Sequence, residues 1–100
     1  MIVRISIGHF ETEQAENIEA LLNKGEQTLR PAISQLTGNI AYYVATDKEK
    51  GYMTNTSLWQ TLDDAMQMAR LPEMMVQRDI FLAEGVVFMP ITNHEVLWQL

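Results

Sequence analysis

Ile40-Ala41-Tyr42-Tyr43-Val44-Ala45-Thr46, then Asp47-Lys48-Glu49-Lys50, then Gly51-Tyr52-Met53-Thr54-Asn55-Thr56-Ser57-Leu58-Trp59, reads as a β-hairpin. Both arms are rich in aromatic and β-branched residues, and the charged link between them ends in glycine, as a tight reversal favours. Alternation along the second arm puts Met53, Asn55, Ser57 and Trp59 on one face, with Thr54, Thr56 and Leu58 on the other.

Residues 2–10 also alternate, with Val3, Ile5 and Ile7 expected to be buried and Arg4, Ser6 and Gly8 to face away. From Glu11 the period lengthens. Ala15, Ile18, Leu22, Gly25 and Leu29 then form a helical stripe, and the early glutamates suit the positive end of the helix dipole. Pro31 is expected to break or kink this helix, leaving one further turn over 32–36 before Thr37-Gly38-Asn39 stops it. Beyond the hairpin, Thr61-Leu62-Asp63-Asp64 is a capping box with Asp for the usual Glu. Pro72 divides the helical region that follows, and Gly85 ends it. Residues 92–99 alternate once more.

The order β-α-β-β-α-β predicts an α+β, ferredoxin-like sandwich over residues 1–100, with one antiparallel sheet and helices on a single face. The usual strand order, 4-1-3-2, sets the last strand against the first. An apolar register then places His9 opposite His94, Ile7 opposite Val96, Ile5 opposite Trp98 and Val3 opposite Leu100. The half-apolar face without helices predicts a homodimer through the sheet.

One hundred residues suit one domain, and 47% apolar with 20% charged residues suits a packed core. A net charge of −6 argues against a nucleic-acid partner, whose phosphates call for Lys and Arg. Without cysteine there is no disulfide, thiolate metal site, iron–sulfur cluster or Cys nucleophile. No apolar run reaches the ~18 residues of a membrane span, and Met-Ile-Val-Arg-Ile-Ser-Ile-Gly-His lacks the regions of a signal peptide, so the cytoplasm is the expected address. No phosphate loop, G-x-G-x-x-G or G-x-S-x-G elbow is present to support nucleotide binding or serine hydrolysis.

The run S-L-W-Q-T-L-D-D-A-M over 57–66, followed by R-L-P-E-M over 70–74, resembles the W-x-S/T and P-x-M segments of the dimeric α/β-barrel superfamily. The opening M-I-V-R-I and closing N-H-E-V-L-W-Q-L are similar to its first and last strands. This superfamily includes antibiotic-biosynthesis and quinol monooxygenases, haem-degrading monooxygenases and stress-responsive barrels. The resemblance spans nearly the whole chain. It implies two sheets packed face to face across a homodimer, and a pocket between each sheet and its helices carrying Met53, Asn55, Ser57 and Trp59.

Cofactor-free members of the polyketide-oxidising branch carry an Asn four residues before the Trp, a spacing that Asn55 and Trp59 reproduce. The implied chemistry uses neither metal nor cofactor. A phenol or quinol is deprotonated, its carbanion reduces dioxygen, and the peroxide collapses to a quinone. Asn55 is the implied donor to the oxyanion or peroxide, and Trp59 the stacking wall with an N–H. The alternative is a non-catalytic, stress-responsive type of barrel that binds a small hydrophobic ligand. Quinol monooxygenase relatives often have a His nine residues after the Trp and another inside P-x-M, where this chain has Met68 and Glu73. Haem-degrading relatives need a helix His and an Asn late in the first strand. Here the helical regions lack His and Ile7 stands near that Asn position, which argues against haem degradation.

Each remaining candidate has a plainer reading. Trp59 and Met68 serve equally as core, and methionine also makes a soft wall for a flat ligand. One of Tyr42 and Tyr43 must face the helices. His9 and His94 are either a proton-carrying pair or an exposed cross-strand pair. Arg70 and Arg78 either meet a substrate anion or pair with Asp63, Asp64 or Asp79.

Overall fold

A computed structural model describes residues 1–100. In it the hairpin forms from β2 (Asn39–Asp47) and β3 (Tyr52–Trp59), antiparallel, with Asn39 opposite Trp59 and Asp47 opposite Tyr52. Asp47 organises the link. Its carbonyl accepts the Gly51 N–H at 2.9 Å and its carboxylate accepts the Lys50 N–H at 3.0 Å, while Gly51 takes φ +77°. On the other side of β3 lies β1 (Ile2–His9), paired along its whole length from Ile2–Trp59 to His9–Tyr52.

Three helices join these strands. A 3₁₀ turn over Thr12–Gln14 leads into α1 (Ala15–Ser34), which continues unbroken through Pro31. The expected break is therefore corrected. Pro31 is exposed, as is Gln27, whose carbonyl the missing N–H would have met, so the orphaned acceptor belongs to a solvent-facing turn where its loss costs little. After β3, Thr61 Oγ1 accepts the Asp64 N–H at 3.1 Å and starts α2 (Leu62–Met66). A 3₁₀ turn over Gln67–Arg70 follows, and Pro72 occupies the first turn of α3 (Pro72–Ala83), as its fixed φ favours. No helix is long and apolar enough to cross a membrane.

The sheet order is β2-β3-β1-β4, as expected, but the outer strand comes in two pieces along β1. First β4 (Val87–Phe88) pairs with His9 and Gly8, and then β5 (Thr92–Glu95) pairs with Ile5 to Ile2. This corrects the expected register: His94 faces Val3, and His9 faces Val87. Val87 and Phe88 reach the sheet before the alternating run at 92–99 does. The Met89 N–H bonds the Ile7 carbonyl at 2.9 Å, and Pro90, having no N–H, then interrupts the ladder. The last rung runs from the Val96 N–H to the Met1 carbonyl, so Leu97, Trp98 and Leu100 extend past β1 and are 90%, 80% and 110% exposed.

The two faces of β1 are also reversed from expectation. Opposed residues share a face, and Arg4, Ser6 and Gly8 lie opposite Ser57, Asn55 and Met53, on the helix side. Val3, Ile5 and Ile7 join Leu58, Thr56 and Thr54 on the open side. Close packing explains Gly8: a Cβ there would lie 2.8 Å from Val86 Cγ1 and 3.1 Å from the Phe88 ring. Under the helices the core forms two clusters. Phe10, Ala15, Ile18, Met53, Phe81 and Val86 make one, and Ile33, Trp59, Ala65, Met68 and Leu71 make the other.

Candidate functional site

Register lays the helix face of the sheet out in rows. Arg4, Ser57 and Tyr42 cross β1, β3 and β2 in one row, and Ser6, Asn55 and Val44 form the next. A cavity of about 520 Å³ lies between this part of the sheet and α1 and α3. Ser6, Tyr42, Met53 and Asn55 line it from the sheet, Leu22, Leu29 and Ile33 from α1, and Met74, Gln77 and Phe81 from α3. That size and its mixed lining fall in the range of small-molecule sites.

The polar centre of the cavity is a side-chain pair. Asn55 Nδ2 donates to the Tyr42 hydroxyl at 3.1 Å, while Asn55 Oδ1 is buried without a partner. With no partner from the chain itself, this oxygen is left to a water or ligand in the cavity. Burial pushes the Tyr42 phenol up to about 12, against the opposing effects of the Asn55 bond and the Arg4 charge. The phenol therefore stays protonated near neutral pH. Its oxygen accepts from Asn55, and its own proton is free to donate. Beside it, Arg4 is only 8% exposed, and burial lowers its pKa while the Tyr42 phenol opposes that shift.

Of the residues expected at the pocket, Asn55, Met53 and Tyr42 line it. Tyr43 is 65% exposed on the open face, which answers the choice between the two tyrosines. Trp59 is fully buried, and its N–H donates to Ser57 Oγ at 2.8 Å. The expected free indole donor is thus engaged within the protein, and neither Trp59 nor Ser57 reaches the cavity wall. Met68 sits in the Trp59 cluster, also away from the wall.

His9 and His94 do not meet. The His9 ring lies 5.8 Å from Tyr52, and His94 Nε2 is 2.8 Å from Thr92 Oγ1, both on the exposed surface. The ion pairs expected of Arg70 and Arg78 are absent as well. Those formed are Arg30–Glu26, Lys48–Glu16 and Lys48–Glu19, whereas Arg78 stands over the Phe88 ring at 5.1 Å and lines the cavity. Glu73, in the P-x-M segment, keeps one buried carboxylate oxygen without a hydrogen-bond partner. No three His, Asp or Glu side chains converge as a metal site would require.

Sequence reasoning missed Arg4 and Ser6, having turned them to the open face. The signal was present. Arg4 is the one Lys, Arg, Asp or Glu in β1, and pairing that strand with the hairpin arm sets it beside Ser57.

No protein-family model matches the sequence, and no curated protein matches it. Solved structures do. A candidate antibiotic biosynthesis monooxygenase from Deinococcus radiodurans is 23% identical, with a TM-score of 0.77 over 100% of this chain and 96% of that one. SnoaB, a cofactor-independent oxygenase from Streptomyces nogalater, is 8% identical, with a TM-score of 0.68 over 99% and 95%. A dimeric ferredoxin-like protein from an uncultured marine organism is 14% identical, with a TM-score of 0.70 over 99% and 96%. The resemblance read from the sequence therefore holds at the level of the fold, the ferredoxin-like α+β sandwich that these structures share.

Proposed function

We propose that this chain is a cofactor-independent monooxygenase that oxidises a small quinol or polycyclic phenol in the cavity between sheet and helices. The observation that carries the reading is Asn55, with one buried amide atom unpaired beside the Tyr42 hydroxyl in a cavity of about 520 Å³. The naming of SnoaB as a cofactor-independent oxygenase supports the reaction class.

A flat substrate lies among Leu22, Met53, Met74 and Phe81, with its oxygen on the Tyr42–Asn55 pair. Loss of a substrate proton gives a phenolate with carbanion character, which reduces dioxygen directly. For an anthrone, the CH₂ becomes C=O, four electrons pass to dioxygen, and its second oxygen leaves as water. For a hydroquinone, one oxygen enters the ring as hydroxyquinone forms, again with release of water. Neither needs an outside reductant. The protein's share is to exclude bulk water and stabilise the developing charge with preorganised donors.

The active form is a homodimer through the open sheet face, where Val3, Ile5, Ile7 and Leu58 stand with the exposed Tyr43 and Val87. The dimeric ferredoxin-like neighbour is consistent with that assembly. Turnover under isotopically labelled dioxygen tests the reaction. One labelled oxygen is expected in the organic product. Unlabelled product, or no turnover of any quinol or anthrone, favours the non-catalytic barrel that only binds a hydrophobic ligand.

A further inference from the structure

The charges around the cavity oppose those of the chain as a whole. Thirteen acidic and seven basic residues give the protein a net charge of −6. Yet Glu26 is the only acidic residue in the cavity wall, and it is paired with Arg30. Arg78 lines the wall with no carboxylate partner, its guanidinium over Phe88. Arg4 stands one residue pair along the sheet from Ser6 and Asn55, is 8% exposed, and takes part in none of the ion pairs. The Tyr42 phenol is the ionisable group whose charge acts on it.

A largely buried guanidinium without a counter-ion costs stability, because its desolvation is only partly compensated. Core packing does not require a charge at that position. Function does, if the missing negative charge arrives with the ligand.

We infer that the cavity recognises an aromatic oxyanion, a carboxylate or phenolate on a flat ring, held by the Tyr42 hydroxyl and Asn55 amide with Arg4 behind them. This rests on the reading of the cavity as a ligand site and specifies the class of ligand. Tyr42 O–H points a free proton at the anion, since the hydroxyl oxygen already accepts from Asn55. A 180° turn of the Asn55 amide exchanges its oxygen and nitrogen. In that alternative arrangement Oδ1 accepts the Tyr42 proton, and Nδ2 donates to the ligand in place of the hydroxyl. Arg4 acts through Tyr42, as a positioning residue whose positive charge makes the phenol a stronger donor to an anion. Arg78 at the wall adds a field of the same sign and draws anions toward a cavity in an otherwise acidic protein.

The test is equilibrium binding near neutral pH of 2-naphthoate, its methyl ester and 2-naphthol to the wild-type protein and to Arg4→Met, Arg4→Lys and Tyr42→Phe. The naphthoate is expected to bind at least about tenfold more tightly than the ester, the usual scale of one charge-assisted hydrogen bond. Arg4→Met should bring that ratio close to one with the ester's affinity unchanged, and Arg4→Lys should restore part of it. Tyr42→Phe should reduce the ratio as well. Bound 2-naphthol showing phenolate absorbance assigns the anion to a phenolate as well as a carboxylate; neutral absorbance restricts it to the carboxylate.

The melting temperature of Arg4→Met should equal or exceed the wild-type value, since a largely buried charge without a counter-ion is removed. Equal affinity for acid and ester, or a ratio that survives Arg4→Met, overturns the inference. So does a fall in melting temperature with parallel loss of both ligands, which is the mark of a structural arginine. Oxygen uptake separates this inference from the proposed reaction. Turnover without anion preference sinks only the anion receptor, and anion preference without turnover sinks only the oxygenase.

Discussion

Asn55 and Trp59 share one face of a strand, yet the structure gives them different work. Asn55 borders the cavity with an unsatisfied amide atom, while Trp59 is sealed in the core with its N–H on Ser57. Truncating Asn55 to Ala should lower turnover by roughly 10²-fold, the scale of a lost oxyanion donor, with the melting temperature held or raised. Trp59→Phe should do the reverse. It removes the donor to buried Ser57 Oγ and should cost about 1–3 kcal/mol in a denaturant titration, with turnover per folded molecule little changed. Tyr42 supplies a pH signature. Its folded pKa of about 12 lies above the ordinary phenol value of 10.0, so between these values the unfolded chain has lost a proton that the folded chain keeps. The stabilisation is fully present below pH 10 and is lost as the pH rises toward about 12. Difference absorbance of wild type against Tyr42→Phe should show the Tyr42 phenolate only near the upper end of that window, and a signal centred near 10 would contradict the burial argument.

Apart from the continuation of α1 through Pro31, helix and hairpin boundaries were legible because their signals are local. Thr61 capped α2, Pro72 opened α3, and Asp47 with Gly51 closed the hairpin, each through backbone chemistry that a few neighbouring residues determine. Gly51 is a direct check. Its φ of +77° excludes a side chain without strain, and a Cβ would sit 2.6 Å from the Phe10 carbonyl oxygen. Gly51→Ala should therefore lower stability by about 1–3 kcal/mol, read as a shifted denaturation midpoint. Pro31→Ala is its opposite, restoring an N–H to the Gln27 carbonyl inside α1, and should raise stability by about 1 kcal/mol or more. What the sequence hid was non-local. Alternation in β1 identifies two faces but not which one the helices cover, and the apolar Val3, Ile5 and Ile7 lie on the open one. The outer strand misled for a related reason: Trp98 and Leu100 complete an apolar pattern, but β4 had already fixed the alignment. Those two errors concealed Arg4 and Ser6 and brought together two histidines that lie apart.

The reversed face of β1 bears on the proposed homodimer. An apolar stripe on the sheet surface without helices, flanked by exposed Tyr43 and Val87, suits burial against a second copy. Sedimentation at micromolar concentration should give twice the 11.5 kDa of one chain, and Ile5→Glu on that face should return the monomer mass. A monomeric wild type would remove the assembly from the account without touching the cavity, since Asn55, Tyr42 and the helices that enclose them belong to one chain. The cavity carries the central claim, and oxygen consumption tests it most directly. Wild type and Asn55→Ala would be compared at equal folded concentration against a panel of hydroquinones and anthrones. Wild type is predicted to consume oxygen above the uncatalysed rate with at least one of them, and Asn55→Ala to lose most of that rate. Uptake no faster than the uncatalysed reaction across the panel, or full activity in Asn55→Ala, would contradict it.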